Sequence, residues 1–216
     1  MGLSIEVGRL AEELKDHPEG RTYLEGAFAA ANRLLAKHGL PAHEEPRTLP
    51  ALKHRAQLIG FPYSFIHYLR RASAHRRADP RWVLTPLGDG EKPTSDPLLQ
   101  VEASSRRNHL ICHSDAEGFY LPVDFTEVLI GEGDTAVPGG MLGSSLRLME
   151  ELVEVAPALN IQLGDGQLTD EEATRLNKRS DRDHREGYPC FELDAWFLLF
   201  ECARLSIEHR TAIVFC

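Results

Sequence analysis

The chain has 216 residues, 42% of them hydrophobic and 26% charged, with a formal net charge of -9. That is enough apolar material for a buried core, and no long polar tract marks disorder. The charged, amphipathic N-terminus is unlike a secretory signal, Glu6 stands where a myristoylation signal needs Ser or Thr, and apolar runs such as Ala195 to Phe200 are too short to cross a bilayer.

In chain order, Leu3 to Leu14 reads as a short helix broken at His17-Pro18. A second amphipathic helix follows, about Pro18 to His38. Tyr23, Leu24, Ala27, Phe28, Ala31, Leu34 and Leu35 form its apolar face, and Gly39 caps it. His43 to Pro50 is a proline-rich connector. Leu52 to Ile59 is expected to be helical. A further helix runs from Phe61 to about Arg77, with His67, Arg71 and His75 at four-residue spacing on one face. Residues 78 to 101 are loop-rich, around the turn signal Gly88-Asp89-Gly90. The stretch Asn108 to Phe125, NHLICHSDAEGFYLPVDF, reads as a hairpin: a strand over His109 to Cys112, a turn at Asp115 to Gly118, and a second strand over Phe119 to Phe125. Ser144 or Ser145 caps a helix to about Leu159. Ile161 to Leu163 is a possible short strand, and Thr169 and Glu172 form a capping box for a polar helix to about Ser180. Asp181 to Pro189 reads as a charged loop. A strongly apolar helix, Glu192 to Glu208, precedes a terminal strand over Thr211 to Cys216.

These elements predict an α+β fold, a mainly helical single domain with a small antiparallel sheet made of the central hairpin and the C-terminal strand. Residues 1–77 form a helical part, 78–107 a loop-rich connector, and 108–216 the hairpin, helices and final strand. The wide, irregular spacing of Cys112, Cys190, Cys202 and Cys216 argues against a disulfide framework or zinc knuckle, and favours a cytoplasmic compartment. No cofactor is expected.

Charge is distributed unevenly. Arg47 to Arg81 holds seven Arg and one Lys against Asp79 alone, whereas Ile111 to Leu176 holds thirteen Asp/Glu against Arg147 and Arg175. Three candidate sites follow. Asp115, Glu117, Asp124, Glu132 and Asp134 would present an acidic surface to a basic protein partner. The glycine-rich loop before a helix, with Gly139, Gly140, Gly143, Ser144 and Ser145, offers backbone N–H groups to an anion. His113, Asp115 and Glu117 would form a divalent-metal set if they converged. The basic run RRASAHRR reads better as an internal or subunit salt-bridge face than as a nucleic-acid contact, because the whole protein is acidic.

The segment HSDAEGFYLPVDF, followed by GGMLGSS before a helix and by a C-terminal aromatic helix, resembles a group of uncharacterised bacterial cytosolic proteins. Some proteins with a similar His-Ser-Asp-x-x-Gly-Phe/Tyr-Tyr-x-Pro segment look like immunity proteins of toxin systems. The resemblance implies binding without catalysis and carries no catalytic residue across. The leading expectation is therefore a non-enzymatic binding protein with an acidic surface, immunity-like in type. The alternative is a small-molecule or metal-assisted hydrolase with its site at the 113–124 hairpin and the 139–145 loop.

Overall fold

The computed structural model describes residues 2–16, 18–88, 90–186 and 190–216, without the side chains of 16 and 18–20. His17, Asp89 and residues 187–189 lie outside that description, and with them the expected helix break at His17, the centre of the 88–90 turn and the end of the 181–189 loop. The architecture is α+β and mainly helical. Its strands are β1 (Gly2–Val7), β2 (Gly60–Pro62), β3 (Gly118–Leu121), β4 (Leu129–Ile130), β5 (Met141–Ser144) and β6 (Ile213–Phe215). Its α-helices are α1 (Arg9–Asp16), α2 (Pro18–Lys37), α3 (Ser64–Ala78), α4 (Pro97–Ser105), α5 (His109–Cys112), α6 (Ser145–Val155), α7 (Asp170–Glu186) and α8 (Phe191–His209).

The sheet is larger than the sequence suggests, and it is mixed. Its order is β2-β1-β6-β3-β5-β4, with β3 and β5 parallel and the other neighbours antiparallel. Helices cover both faces. On one face Tyr120, Ile213 and Phe215 pack with Leu3, Ile5, Leu69, Leu152, Trp196 and Phe200 from β1, α3, α6 and α8. On the other, Phe119, Leu121, Leu142 and Val214 pack with Phe28, Ala31, Leu34 and Leu35 of α2. A strand covered on both sides is apolar throughout, which is why all four residues of β3 are buried.

Several expectations change. Leu3 and Ile5 are buried while Ser4 and Glu6 are half-exposed, so the period over residues 2–7 is two and the segment is a strand. Residues 52–59 form no helix, and Ile59 is 81% exposed. Their chain is tethered by side chains instead: Arg55 N donates to Glu201 Oε2 and Asn177 Nδ2 donates to Arg55 O. The hairpin does not form. Asn108–Cys112 is one helical turn, capped by the Asn108 side chain accepting from Ile111 N at 2.8 Å. The Glu151 carboxylate of α6 accepts from His109 N at 2.7 Å and Leu110 N at 2.6 Å. With those N–H groups satisfied as a helix, the segment has no ladder to join. β3 therefore pairs with β5 and β6, and the C-terminal strand lies beside it as expected. Residues 161–163 form no strand, α7 extends through Glu186, and Tyr23 is 64% exposed rather than on the buried face of α2. Gly39 takes the left-handed φ of +69° that a helix C-terminus favours, and Ser144 caps α6.

Candidate functional site

Strand direction gathers two loops at one end of the sheet, the one entering β3 and the β4–β5 connection. β3 and β5 run parallel, so the loops entering them lie side by side, and antiparallel β4 leaves at the same end. Gly131 N donates to Gly140 O at 3.0 Å, and a Cβ on Gly139 (φ +68°) would meet Glu117 O at 2.2 Å. Only glycine suits that approach and that φ. Glu117 on the first of these loops and Glu132 and Asp134 on the second are exposed, and among the described residues none of their carboxylates is within salt-bridge distance of a cationic side chain. Arg33 Nε reaches the Asp134 backbone carbonyl at 2.7 Å, which fixes the loop to α2. Beside this end lies a recess of about 320 Å³ lined by Arg9, Tyr23, Tyr63, Glu117, Pro138 and Phe215.

The other two carboxylates of the expected acidic surface are differently placed. Asp115 shares the Glu117 loop but pairs with His67 Nε2 at 3.0 Å. Asp124 follows the far end of β3 and holds Arg147 bidentately at 2.7 and 3.0 Å.

Most cations of the basic middle segment are engaged by groups of the chain itself, with Arg70 and Arg71 buried and Arg47, Lys53, Arg77 and Arg81 exposed. Arg70 is buried and donates to Leu110 O at 2.7 Å and His113 O at 2.6 Å. Arg71 and His75 share Asp96, Arg77 bridges Glu102 and Glu154, Arg55 holds Glu201 and Asp170, and Arg47 pairs with Glu25. Apart from Arg70, which meets backbone carbonyls, these cations are paired with carboxylates of the chain, and other carboxylates stand unpaired at the surface.

His113 is buried. Its Nδ1 and Nε2 lie 3.0 Å from Ser114 O and Phe119 O respectively, and its ring stacks on Tyr120 at 4.1 Å. Burial drives its pKa down to about 4. Neither nitrogen points to Asp115 or Glu117. Among the described residues the one set of three His, Cys, Asp or Glu donors within 4.8 Å is His184, Cys190 and Asp194, between α7 and α8.

The residues of the glycine-rich loop also part company. Gly139 and Gly140 lie at the acidic end, where an anion would meet Glu117 and Glu132. Ser144 Oγ accepts from Arg147 N, Ser144 N donates to His109 Nδ1 at 2.9 Å, and Ser145 Oγ accepts from Ser206 Oγ at 2.9 Å, all inside the core. Gly143 admits the Tyr120 ring: an added Cβ would sit 2.4 Å from it and 3.1 Å from His113 Cδ2. Gly143→Ala is expected to cost about 1–3 kcal/mol by overpacking, read as a lower urea midpoint with unchanged slope.

Arg70 and Glu151 are the structural polar groups that sequence reading passes over. Their signal is a charged residue within an apolar helical stripe, Glu151 between Leu148 and Leu152 and Arg70 between Ile66 and Ala74. Together they tie α3, α5 and α6 beneath the acidic loops.

No helix among the described residues is long and apolar enough to cross a membrane. The family described as "Putative DNA-mimic protein" matches residues 1–215. No curated protein and no solved structure matches the chain.

Proposed function

Since the chain belongs to that DNA-mimic family, we propose that it is a non-enzymatic protein that occupies the DNA-contact face of a basic, DNA-binding protein. The observation that supports this most directly is that Arg47, Arg55, Arg71 and Arg77 pair with carboxylates elsewhere in the chain, while Glu117, Glu132 and Asp134 stand on adjacent loops as anions without cationic side-chain partners among the described residues. A protein that binds DNA meets a dense row of phosphates with Lys and Arg and releases their counterions. A surface of carboxylates engages the same side chains by the same electrostatics, and complementary charge accelerates the encounter. Exposed Tyr23 and the adjoining recess supply the apolar contact that such an interface needs beside its charges. The immunity-type reading is the narrower form of this one, in which the basic partner is a DNA-directed toxin.

The test uses the immobilised chain and the heparin-binding fraction of a cell extract. Captured proteins are expected to elute with salt and to be displaced by duplex DNA. The triple variant Glu117→Lys/Glu132→Lys/Asp134→Lys is expected to reduce capture at least tenfold at low salt, since like-charge juxtaposition costs several kcal/mol. Capture indifferent to duplex DNA and to these substitutions would remove the reading.

A further inference from the structure

Helix α7 is held to the core unequally along its length. Its buried residues, Glu172, Ala173 and Leu176, all lie in its first half. What ties its last turns to the start of α8 is polar, and three side chains there aim at one point. His184 Nε2 lies 2.8 Å from Asp194 Oδ2, and Cys190 Sγ lies 3.2 Å from that nitrogen and 3.1 Å from that oxygen. The other Asp194 oxygen accepts from Ser180 Oγ at 2.7 Å.

Hydrogen bonds account for two edges of this triangle, Nε2–H and the thiol each donating to Asp194 Oδ2, and leave the 3.2 Å edge between sulfur and nitrogen without one. The Asp194 side chain is only 2% exposed, and among the described residues its one cationic neighbour within salt-bridge distance is His184, itself 49% exposed. Buried carboxylates are ordinarily paired with a cation or bound to a metal. The cluster is not a nucleophilic relay. That arrangement places the imidazole between thiol and carboxylate with one ring nitrogen for each, whereas both groups here meet the same nitrogen.

We propose that His184, Cys190 and Asp194 bind a zinc ion that staples the end of α7 to the start of α8. Thiolate, imidazole and carboxylate are all zinc ligands, and the sulfur disfavours magnesium and calcium. Tetrahedral zinc, with bonds of about 2.0–2.3 Å, sets its ligand atoms about 3.3–3.6 Å apart. The present edges of 2.8, 3.1 and 3.2 Å open to that spacing by small side-chain rotations. A water completes the tetrahedron on the side where His184 is exposed. Binding replaces the thiol proton with the metal and releases that proton to solvent, with no change of oxidation state. The site is separate from the acidic loops, so its test is independent of the partner reading.

The experiment is titration of the chelator-treated full chain with Zn²⁺ and, as an optical probe, Co²⁺. One equivalent of Zn²⁺ is expected to raise the thermal midpoint, and Co²⁺ to give a thiolate charge-transfer band. Cys190→Ser should abolish the band. His184→Gln, at a half-exposed position that leaves the fold intact, should weaken Zn²⁺ affinity by more than about tenfold, since even the loss of an outer-shell partner costs that much. Cys202→Ser, deep in the core, should keep both signals if folded. Absence of both the band and the zinc-dependent shift would overturn the proposal, as would either signal surviving unchanged in Cys190→Ser or His184→Gln.

Discussion

Acidification from pH 7 to pH 4.5 is expected to lower the stability of the folded chain by about 3 kcal/mol, and His109 and His113 are the cause. Both rings are buried, and burial depresses each folded pKa from 6.5 to about 4. The unfolded chain takes up these protons near pH 6.5, while the folded one resists until about pH 4. Each histidine therefore contributes stability that is present above 6.5 and lost as pH falls toward 4. A difference of about 2.5 pH units corresponds to about 3 kcal/mol per group. Glu151 acts in the opposite sense. Burial raises its pKa to about 7 even against its two backbone N–H donors, so the fold gains from its protonation over the same window. Two histidines against one carboxyl leave the net loss of about 3 kcal/mol.

The charged neighbours act as minor contributors. Arg70 and His109 lower the His113 pKa further, Arg147 lowers that of His109, and Asp124 raises it. Urea midpoints at pH 7, 5.5 and 4.5 measure the effect. His113→Gln is expected to remove most of the dependence, since His109 and Glu151 then offset each other, while lowering stability throughout. A midpoint that stays level or rises on acidification would refute the assignment.

Glu201→Ala is expected to destabilise the chain by about 3–5 kcal/mol, the usual consequence of removing one partner of a buried ion pair. The Glu201 side chain is fully buried on α8. It accepts from Arg55 N at 3.0 Å, Arg55 Nη2 at 2.6 Å, and Arg204 Nε and Nη2 at 3.1 and 2.9 Å. Burial raises its pKa, but the hydrogen bonds from Arg204 and Arg55 prevail and hold it at about 2. The carboxylate is thus charged at every ordinary pH, and its contribution fades only as pH falls from 4.5 toward 2. Deleting it leaves two guanidiniums at the α8 surface without their common anion. It also releases the 52–59 segment, which Arg55 anchors further through Leu168 O. At roughly 2–4 °C per kcal/mol for a chain of this size, the thermal midpoint should fall by about 10 °C. Glu201→Gln, which keeps acceptors but not the charge, should fall by less. A change of under about 1 kcal/mol in Glu201→Ala would show the cluster to be peripheral to stability.

Both predictions depend on partners distant in sequence, and so do the places where sequence reading and structure diverge. The Asn108–Cys112 run has the apolar content of a strand, but Glu151, some forty residues on, supplies the acceptors that make it a helical turn. The alternation in Leu3 to Val7 is visible without the structure, yet it competes with the charged helix-like pattern that follows from Arg9. What settles it is pairing with β6, at the other end of the chain. Of the candidate acidic site, Glu117, Glu132 and Asp134 are legible as exposed acids in turn sequences. That Asp124 belongs instead to the Arg147 pair, at the far end of the sheet, follows only from strand direction.

The sequence by itself determined the mainly helical α+β class, the helices α2, α6 and α8 with caps such as Ser144 and Gly39, and the step from basic to acidic charge. Periodicity, capping and turn preference act within a few residues, so one stretch of chain states them completely. Tertiary structure alone decided the mixed sheet, the pairing of Arg47, Arg55, Arg71 and Arg77 with distant carboxylates, the grouping of two acidic loops and the meeting of His184, Cys190 and Asp194. Each of these depends on which distant backbone or counter-charge satisfies a group, and solvation forces that pairing only once the chain is compact.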